Sequence, residues 1–476
     1  MPSYQRPPTG LPRFQLVLSS FLQHDGLPFA DVLPEERIQQ AFEDAEATFA
    51  HDEDDVYTPA VTLWAFLSQV LFKGEMRSCL AAVGRVLVLC VALGKKPCSD
   101  NTGAYCRARA KLPVPVIQRL VEELAQDCED QLPTSWLWKG RHVQLVDGTT
   151  VSMPDTPSNQ AEYPQARTQK RGLGFPVARL VVLFSLASAM VQGMAIGPYA
   201  GKESGETALL RALFDRLRPG NILLADRYYC SYFMMALLQE KGIDVVLRQH
   251  QLRATDFRRG RRLGPGDHVV IWLRPQRPDW MDPETYERTP KTLIVREVEV
   301  QVHQPGFRVE SLVVVSTLLD AESYTQDDIA ELYHQRWLVE LDIRAVKITL
   351  SIDVLRGRSP QMVRREIWMA LLAYNLIRRS LLQAALASDA QRSPRQLSFT
   401  AAMQKIAASW QTLTTCPHTV LVVLIEVHLQ HLATHAVGDR PDRVEPRAVK
   451  RRPKPHKLLT QPRQQARAEL LAGIER

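Results

Sequence analysis

Paired cysteines are missing from this chain. The seven it has, Cys79, Cys90, Cys98, Cys106, Cys128, Cys230 and Cys416, are odd in number and scattered, with no C-x-x-C spacing. A disulfide framework and a cysteine zinc site are therefore both excluded as expectations, and the cysteines read as buried thiols. Long apolar runs are missing too: no window offers the roughly 18 uninterrupted apolar residues of a membrane span. The opening residues MPSYQRPPTGLPRF lack the charged-then-apolar layout of a secretory leader, so cytoplasmic residence with no membrane association is the expectation. No internal repeat is evident.

What the chain has is length, apolar content and unevenly placed charge. With 476 residues, 45% of them hydrophobic, it can bury several cores and form two to four domains. The formal net charge is +7, and residues 437–476 hold 11 Lys or Arg against 5 Asp or Glu, so the tail carries nearly all the excess. Its segment PRAVKRRPKPHKLLTQPR, with Lys450, Arg451 and Arg452, interleaves prolines with cations. That opposes helix formation and keeps the charges solvated. Such a tail suits a polyanion; the alternative is a solubilising segment without a partner.

Residues 1–137 read as all-helical, with apolar residues at helical spacing in TPAVTLWAFLSQVLF, EMRSCLAAVGRVLVLCVALG and VPVIQRLVEELAQDC. Between them Ser99 or Asp100 would cap a short helix presenting Arg107, Arg109 and Lys111, either a DNA-reading element or a connector. From 138 the pattern turns to strands in a β-β-β-α-β-α-β order through residue 250, which predicts the mixed sheet of a ribonuclease H-like core. Residues 251–317 read as a β-rich insertion and 318–385 as the second part of the core. A helical region over 386–436 follows, and then the basic, proline-rich tail 437–476.

Within that frame Asp147 ends an apolar run in QLVDGTT and Asp226 terminates NILLAD. Each alone reads equally well as a turn residue. A third carboxylate, Glu340, lies in ELYHQRWLVELDIRAVKITL, where Tyr333, Arg336, Glu340 and Lys347 fall within an arc of about 60° at helical spacing. A separate apolar stripe of Leu332, Val339, Ile343, Val346 and Leu350 serves packing. The polar row is a solvated face or a functional one. As a set, three carboxylates above one sheet would repel one another unless cations filled the gap, which points to two Mg²⁺ ions, with Mn²⁺ able to substitute, and to phosphoryl transfer. Asp342 and Glu331, about 160 to 180° round the helix from Glu340, are expected to be dispensable.

The spacing Y-x2-R-x3-E-x6-K, met by Tyr333, Arg336, Glu340 and Lys347, resembles the signature of the insertion sequence 4 family of bacterial DDE transposases. DGTTVSMPDT around Asp147 and ADRYY around Asp226 resemble that family's two aspartate blocks, and the likeness extends over about 55–455. It implies catalytic, metal-holding roles for Asp147, Asp226 and Glu340. It also implies DNA contacts for Tyr333, Arg336 and Lys347, and double-stranded DNA, element ends and target alike, as partner. A homodimeric DNA-bound complex in a bacterial cytoplasm, associated with the nucleoid when bound, is implied as well. So is a hairpin intermediate with a flipped base, for which Trp272 and Trp280 are the stacking candidates, although Trp272 within its apolar strand reads more naturally as core. The resulting expectation is an α/β cut-and-paste transposase with a ribonuclease H-like core, a β-rich insertion, a helical N-terminal DNA-binding domain and a basic tail. The rival reading is a catalytically silent, transposase-derived DNA-binding protein.

Overall fold

A computed structural model describes residues 35–49, 55–92, 96–201, 204–301, 311–388, 392–415, 418–438 and 459–474. Period-2 stretches build a single large mixed sheet. β1 (Val143–Ser152), β2 (Val177–Ser185) and β3 (Val191–Pro198) form an antiparallel meander; β4 (Ile222–Ala225) lies parallel to β1 on its other side, and β5 (Asp244–Arg248) parallel to β4. The stretch expected as an insertion supplies β6 (Arg261–Gly264), β7 (Asp267–Leu273), β8 (Thr292–Gln301) and β9 (Ser311–Ser316). These strands continue the same sheet, because β9 pairs antiparallel with β5 through Val246–Ser316 and Leu247–Val315. The strand order is β3-β2-β1-β4-β5-β9-β8-β7-β6. Pairing in this way covers the edge that β5 would otherwise expose. The basic strand β6 has no apolar alternation to announce it; the turn at Gly266, with φ of 66°, folds it back on β7.

Two apolar clusters cover the faces. On one, the short helices Glu206–Arg211 and Tyr232–Glu240 pack on Val181, Leu223 and Val245. The opposite face, with Leu180, Val182 and Phe184, joins the long helix Pro360–Leu386, the N-terminal helices Pro59–Leu71, Cys79–Ala92 and Val114–Asp130, and the C-terminal helices Phe399–Thr415 and His418–Thr434 in one continuous cluster. Ser359 caps the long helix, its side chain accepting from Met362 N.

Among the described residues between 35 and 137 every named element is helical. The cap of the short basic helix Thr102–Lys111 is Asn101, not Ser99 or Asp100: Asn101 Oδ1 accepts Gly103 N at 2.7 Å, while Ser99 Oγ accepts Asn101 N. None of the six described cysteines is disulfide-bonded, and Cys90, Cys128 and Cys230 are buried; Cys416 lies outside the described residues. Lys450, Arg451 and Arg452 also lie outside them. The tail is not helix-free, since a helix, Arg463–Ile474, starts directly after its last proline, Pro462, where nothing further blocks the backbone donors. No described helix is long and apolar enough to cross a membrane.

Candidate active site

Strand pairing brings the two aspartates side by side. Leu145 of β1 is level with Leu224 of parallel β4; two residues further along each strand direction stand Asp147 and Asp226. By alternation Asp147 shares the face of Val143 and Leu145, the one covered by the helical cluster. Asp226 Oδ1 accepts Tyr228 N at 2.8 Å, which fixes the carboxylate at the strand's end.

The segment carrying Glu340 is not one continuous α-helix. Thr325 and Asp328 form a capping box that starts the helix Gln326–His334, a 3₁₀ turn spans Gln335–Trp337, α-helix resumes over Leu338–Arg344, and a π turn spans Ala345–Thr349. Leu332, Val339, Val346 and Leu350 are buried as one side of it. Arg336 sits on the 3₁₀ turn. Its Nη2 donates to Glu340 Oε1 at 2.9 Å and its Nη1 lies 3.8 Å from Asp147 Oδ2, so one guanidinium links the strand carboxylate to the helix carboxylate. Lys347 lies half-exposed on the π turn, and Tyr333 is buried, its phenol pushed up to about 12 mainly by that burial.

Burial also dominates at Asp147, raising its carboxyl to about 6; the charges of Asp226 and Glu206 raise it further, while Gly148 N and Arg336 oppose. Glu206 was not singled out from the sequence. It heads the helix Glu206–Arg211 and lies against Gly148 on the opposite face of β1, so close that a Cβ there would meet its Cδ at 2.3 Å. Tyr229, fully buried, donates its hydroxyl to Glu206 Oε2 at 3.3 Å, whereas the Tyr228 ring is 52% exposed. The only sequence signal for Glu206 was the glycine after Asp147.

Other candidates lie elsewhere. Trp272 is buried, its indole N–H donating to Glu297 Oε1 at 2.9 Å with Arg253 stacked on the ring, so its ring faces belong to the core. Trp280 is half-buried, with Arg211 3.8 Å over its ring. On the short basic helix Arg107 and Lys111 are exposed, but Arg109 turns inward, its Nη1 on Gln69 Oε1 at 2.9 Å. Asp342 is not solvated: it is 1% exposed and accepts from Arg378 at 3.0 Å and Arg395 at 2.8 Å.

Three carboxylates form a donor set suited to a hard divalent cation, and crowded negative charge at Asp147 is what such a cation would relieve. As the side chains stand, the Arg336 guanidinium provides the positive charge, and among the described residues no three potential ligands converge closely enough to hold an ion.

A large mixed sheet bearing neighbouring strand aspartates, with a glutamate helix laid against them, is the scaffold of a DDE enzyme. The chain belongs to the transposase DDE domain family, which matches residues 138–376, and is an insertion sequence 4-type DDE transposase. It is similar to the transposase InsG for insertion sequence element IS4 of Escherichia coli K12, 26% identical over 357 residues that cover 74% of this chain and 76% of that protein. Over 140 residues it is 28% identical to the putative transposase InsZ of the same strain, covering 29% and 46%. Over 65 residues it is 34% identical to the Escherichia coli transposase for insertion sequence element IS421, covering 14% and 18%.

Proposed function

We propose that this transposase binds the inverted-repeat ends of its own element as double-stranded DNA, hydrolyses a phosphodiester bond at each end and joins the freed 3′ hydroxyls to target DNA. The observation that carries the reading is the link Asp147–Arg336–Glu340 beside Asp226, on strands ordered 3-2-1-4-5 as in a ribonuclease H-like core. Asp147, Asp226 and Glu340 are the residues to hold two Mg²⁺ ions, with Mn²⁺ as substitute. Divalent ions there would stabilise charge on the attacking and leaving oxygens of phosphoryl transfer.

The chain's own groups do the positioning. Arg336, exchanging its carboxylate partners for a DNA phosphate, aligns the strand and frees Glu340, and Lys347 holds a phosphate further along. Tyr333, being buried, fixes the helix rather than offering its ring to solvent. In the first step a water oxygen bonds to phosphorus, the P–O3′ bond breaks, and the 3′ oxygen takes up a proton. In joining, that 3′ hydroxyl attacks a target phosphorus and loses its proton while the target's own P–O3′ bond breaks and the departing 3′ oxygen takes a proton up, so one phosphodiester replaces another and no external energy source is required. If the same hydroxyl first attacks a phosphorus of the opposite strand and displaces the 3′ oxygen bonded there, a hairpin forms. The exposed Tyr228 ring beside Asp226 is then better placed than Trp272 to stack on a displaced base, with Trp280 the second candidate.

The remaining assignments complete the reading: residues 1–137 as a DNA-binding unit, 251–317 as an insertion extending the core's sheet, 437–476 as a phosphate-binding tail, and a homodimer as the form that pairs two ends. The test is strand cleavage by Asp147→Ala, Asp226→Ala and Glu340→Ala with Mg²⁺ or Mn²⁺. Each should abolish cleavage while duplex binding stays largely intact, and near-normal cleavage by any one removes that residue from the site. Binding without cleavage by the unaltered chain would instead favour the silent DNA-binding descendant.

A further inference from the structure

Arg109, inward-facing and so no reader of base edges, lines a cavity of about 480 Å³. The cavity lies between the N-terminal helices and the segment 350–359, which leads from the π turn of Lys347 into the long helix. Four arginines line it, Arg77, Arg109, Arg356 and Arg358, against one carboxylate, Glu366. Glu366 is already committed: it accepts Arg356 N at 2.8 Å and Gly357 N at 2.9 Å, and pairs with Arg77 at 3.4 Å.

Two helix starts open on the same space. Ser78 precedes the helix Cys79–Ala92, and Ser359 caps the helix Pro360–Leu386; both serines line the cavity. Each start adds the partial positive charge of a helix N-terminus, although Ser78 Oγ and Ser359 Oγ already accept Ala81 N and Met362 N. Arg109 is held in the wall, its Nη1 on Gln69 Oε1 at 2.9 Å and its guanidinium over the Phe66 and Tyr105 rings. Arg77 has a structural duty, since it is 6% exposed and its Nη1 donates to the Ser351 carbonyl at 2.6 Å. Arg356 and Arg358 are exposed, so packing alone does not require their charge.

The cavity is tied to the catalytic strand. Ser152, at the end of β1, bridges to Val354, and its carbonyl accepts Leu355 N at 2.8 Å. Asp147 lies five residues back on β1, roughly 17 Å at strand rise. A DNA strand laid along the Glu340 segment would thus pass from Arg336 to Lys347 and reach the cavity mouth a few phosphates from the scissile bond.

We propose that this cavity binds one phosphate group and that, in the working enzyme, it is a backbone phosphate of the DNA strand leaving the active site. The second half rests on the DNA reading above; the first does not. The variant for the test is Arg356→Gln with Arg358→Gln, two exposed positions whose loss leaves Arg77 and Glu366 in place, with circular dichroism to confirm the fold. Two readouts apply to the full-length chain. One is the rise in melting temperature on replacing chloride with inorganic phosphate at constant ionic strength. The other is the slope of log affinity against log salt for a mixed-sequence duplex.

The expected result is that the phosphate-dependent rise is lost, that the slope falls by about 0.9, as for one phosphate contact, and that affinity drops about tenfold, as for a lost charge-assisted hydrogen bond. Loss of the phosphate effect with an unchanged slope supports the anion site but assigns it to free phosphate or a nucleotide, overturning the DNA half. Neither readout changing, or no phosphate effect on the unaltered chain, overturns the site. If the unaltered chain fails to bind duplex, the DNA reading falls while the phosphate arm still decides the cavity.

Discussion

Asp342 and Asp147 show how little a carboxylate's place in the sequence says about its surroundings. Helical spacing assigns Asp342 to the side away from Glu340, alongside Glu331, but that side faces the Arg378 and Arg395 guanidiniums and the Tyr374 hydroxyl at 3.3 Å. Asp342→Ala would leave the buried Arg378 and the half-buried Arg395 without their counter-charge, costing on the order of 3 kcal/mol, whereas Glu331→Ala, at an exposed position, should cost less than about 0.5 kcal/mol. Urea unfolding of the two variants checks this; equal stabilities would mean the Asp342 pairs contribute nothing. Asp147 carries the opposite penalty. Its folded value of about 6 lies above the ordinary carboxylate value, so the native state holds the proton more tightly. That contribution to stability is full below the ordinary value and is lost as pH rises through about 6. Asp147→Asn has no charge to bury. It should match the unaltered chain near pH 4 and exceed it at pH 7 by on the order of 3 kcal/mol. Adding Mg²⁺ at pH 7 should raise the melting temperature of the unaltered chain and not of the variant. A constant difference across pH would show that Asp147 is not buried as a charge.

At the scale of elements, the positions of the strands along the chain were readable because apolar alternation survives any change of tertiary context that keeps one face covered: β1 to β5 and β7 to β9 form where alternation and short apolar runs place them. The breaks in the Glu340 helix were not readable, because 3₁₀ and π turns change backbone hydrogen bonding without disturbing the apolar stripe. Glu206 was invisible for a related reason, since its approach depends on the absence of a side chain at Gly148, a contact across 58 residues of chain. The breaks bear on function. The 3₁₀ turn puts Arg336 between two carboxylates, while Lys347, beyond the helix on the π turn, makes no ion pair among the described residues. Arg336→Ala and Lys347→Ala should therefore both slow single-turnover cleavage at subsaturating DNA, with defects that shrink as salt rises, because screening weakens in the unaltered chain the same phosphate contact that each variant lacks. Arg336→Ala should in addition raise the Asp147 carboxyl further, since it removes a charge that lowers it. If both variants cleave like the unaltered chain at every salt concentration, the polar row is a solvated face and Glu340 stands alone on it.

For the whole molecule, the sequence separates helical and strand-rich segments correctly by pattern, but pattern carries no information on whether they share a core. They do: residues from the N-terminal helices, the sheet, the long helix and the C-terminal helices belong to one apolar cluster. Asn375 in the long helix bolts its layers together, its Nδ2 donating to Val121 O at 3.1 Å and Val191 O at 3.0 Å while its Oδ1 accepts Val191 N at 2.9 Å. Glu129 adds a second tie, accepting from Ser188 Oγ and pairing with His142 Nδ1 at 2.9 Å. A chain lacking residues 1–137 would expose the apolar side of Pro360–Leu386 that meets Val114–Asp130 and Pro59–Leu71, and would leave the Asn375 amide with one partner fewer. Each buried large aliphatic side chain so exposed forfeits about 1.5 to 3 kcal/mol, and the cluster contains many, so the loss exceeds the 5 to 15 kcal/mol by which a domain is ordinarily stable. The full-length chain should unfold with tryptophan fluorescence and far-ultraviolet circular dichroism coinciding over these layers. The shortened chain should show secondary structure without a cooperative transition and should bind a hydrophobic dye. If it instead melts cooperatively within a few degrees of the full-length chain, the N-terminal helices are a separable unit, and their shared cluster with the sheet contributes contact without stability.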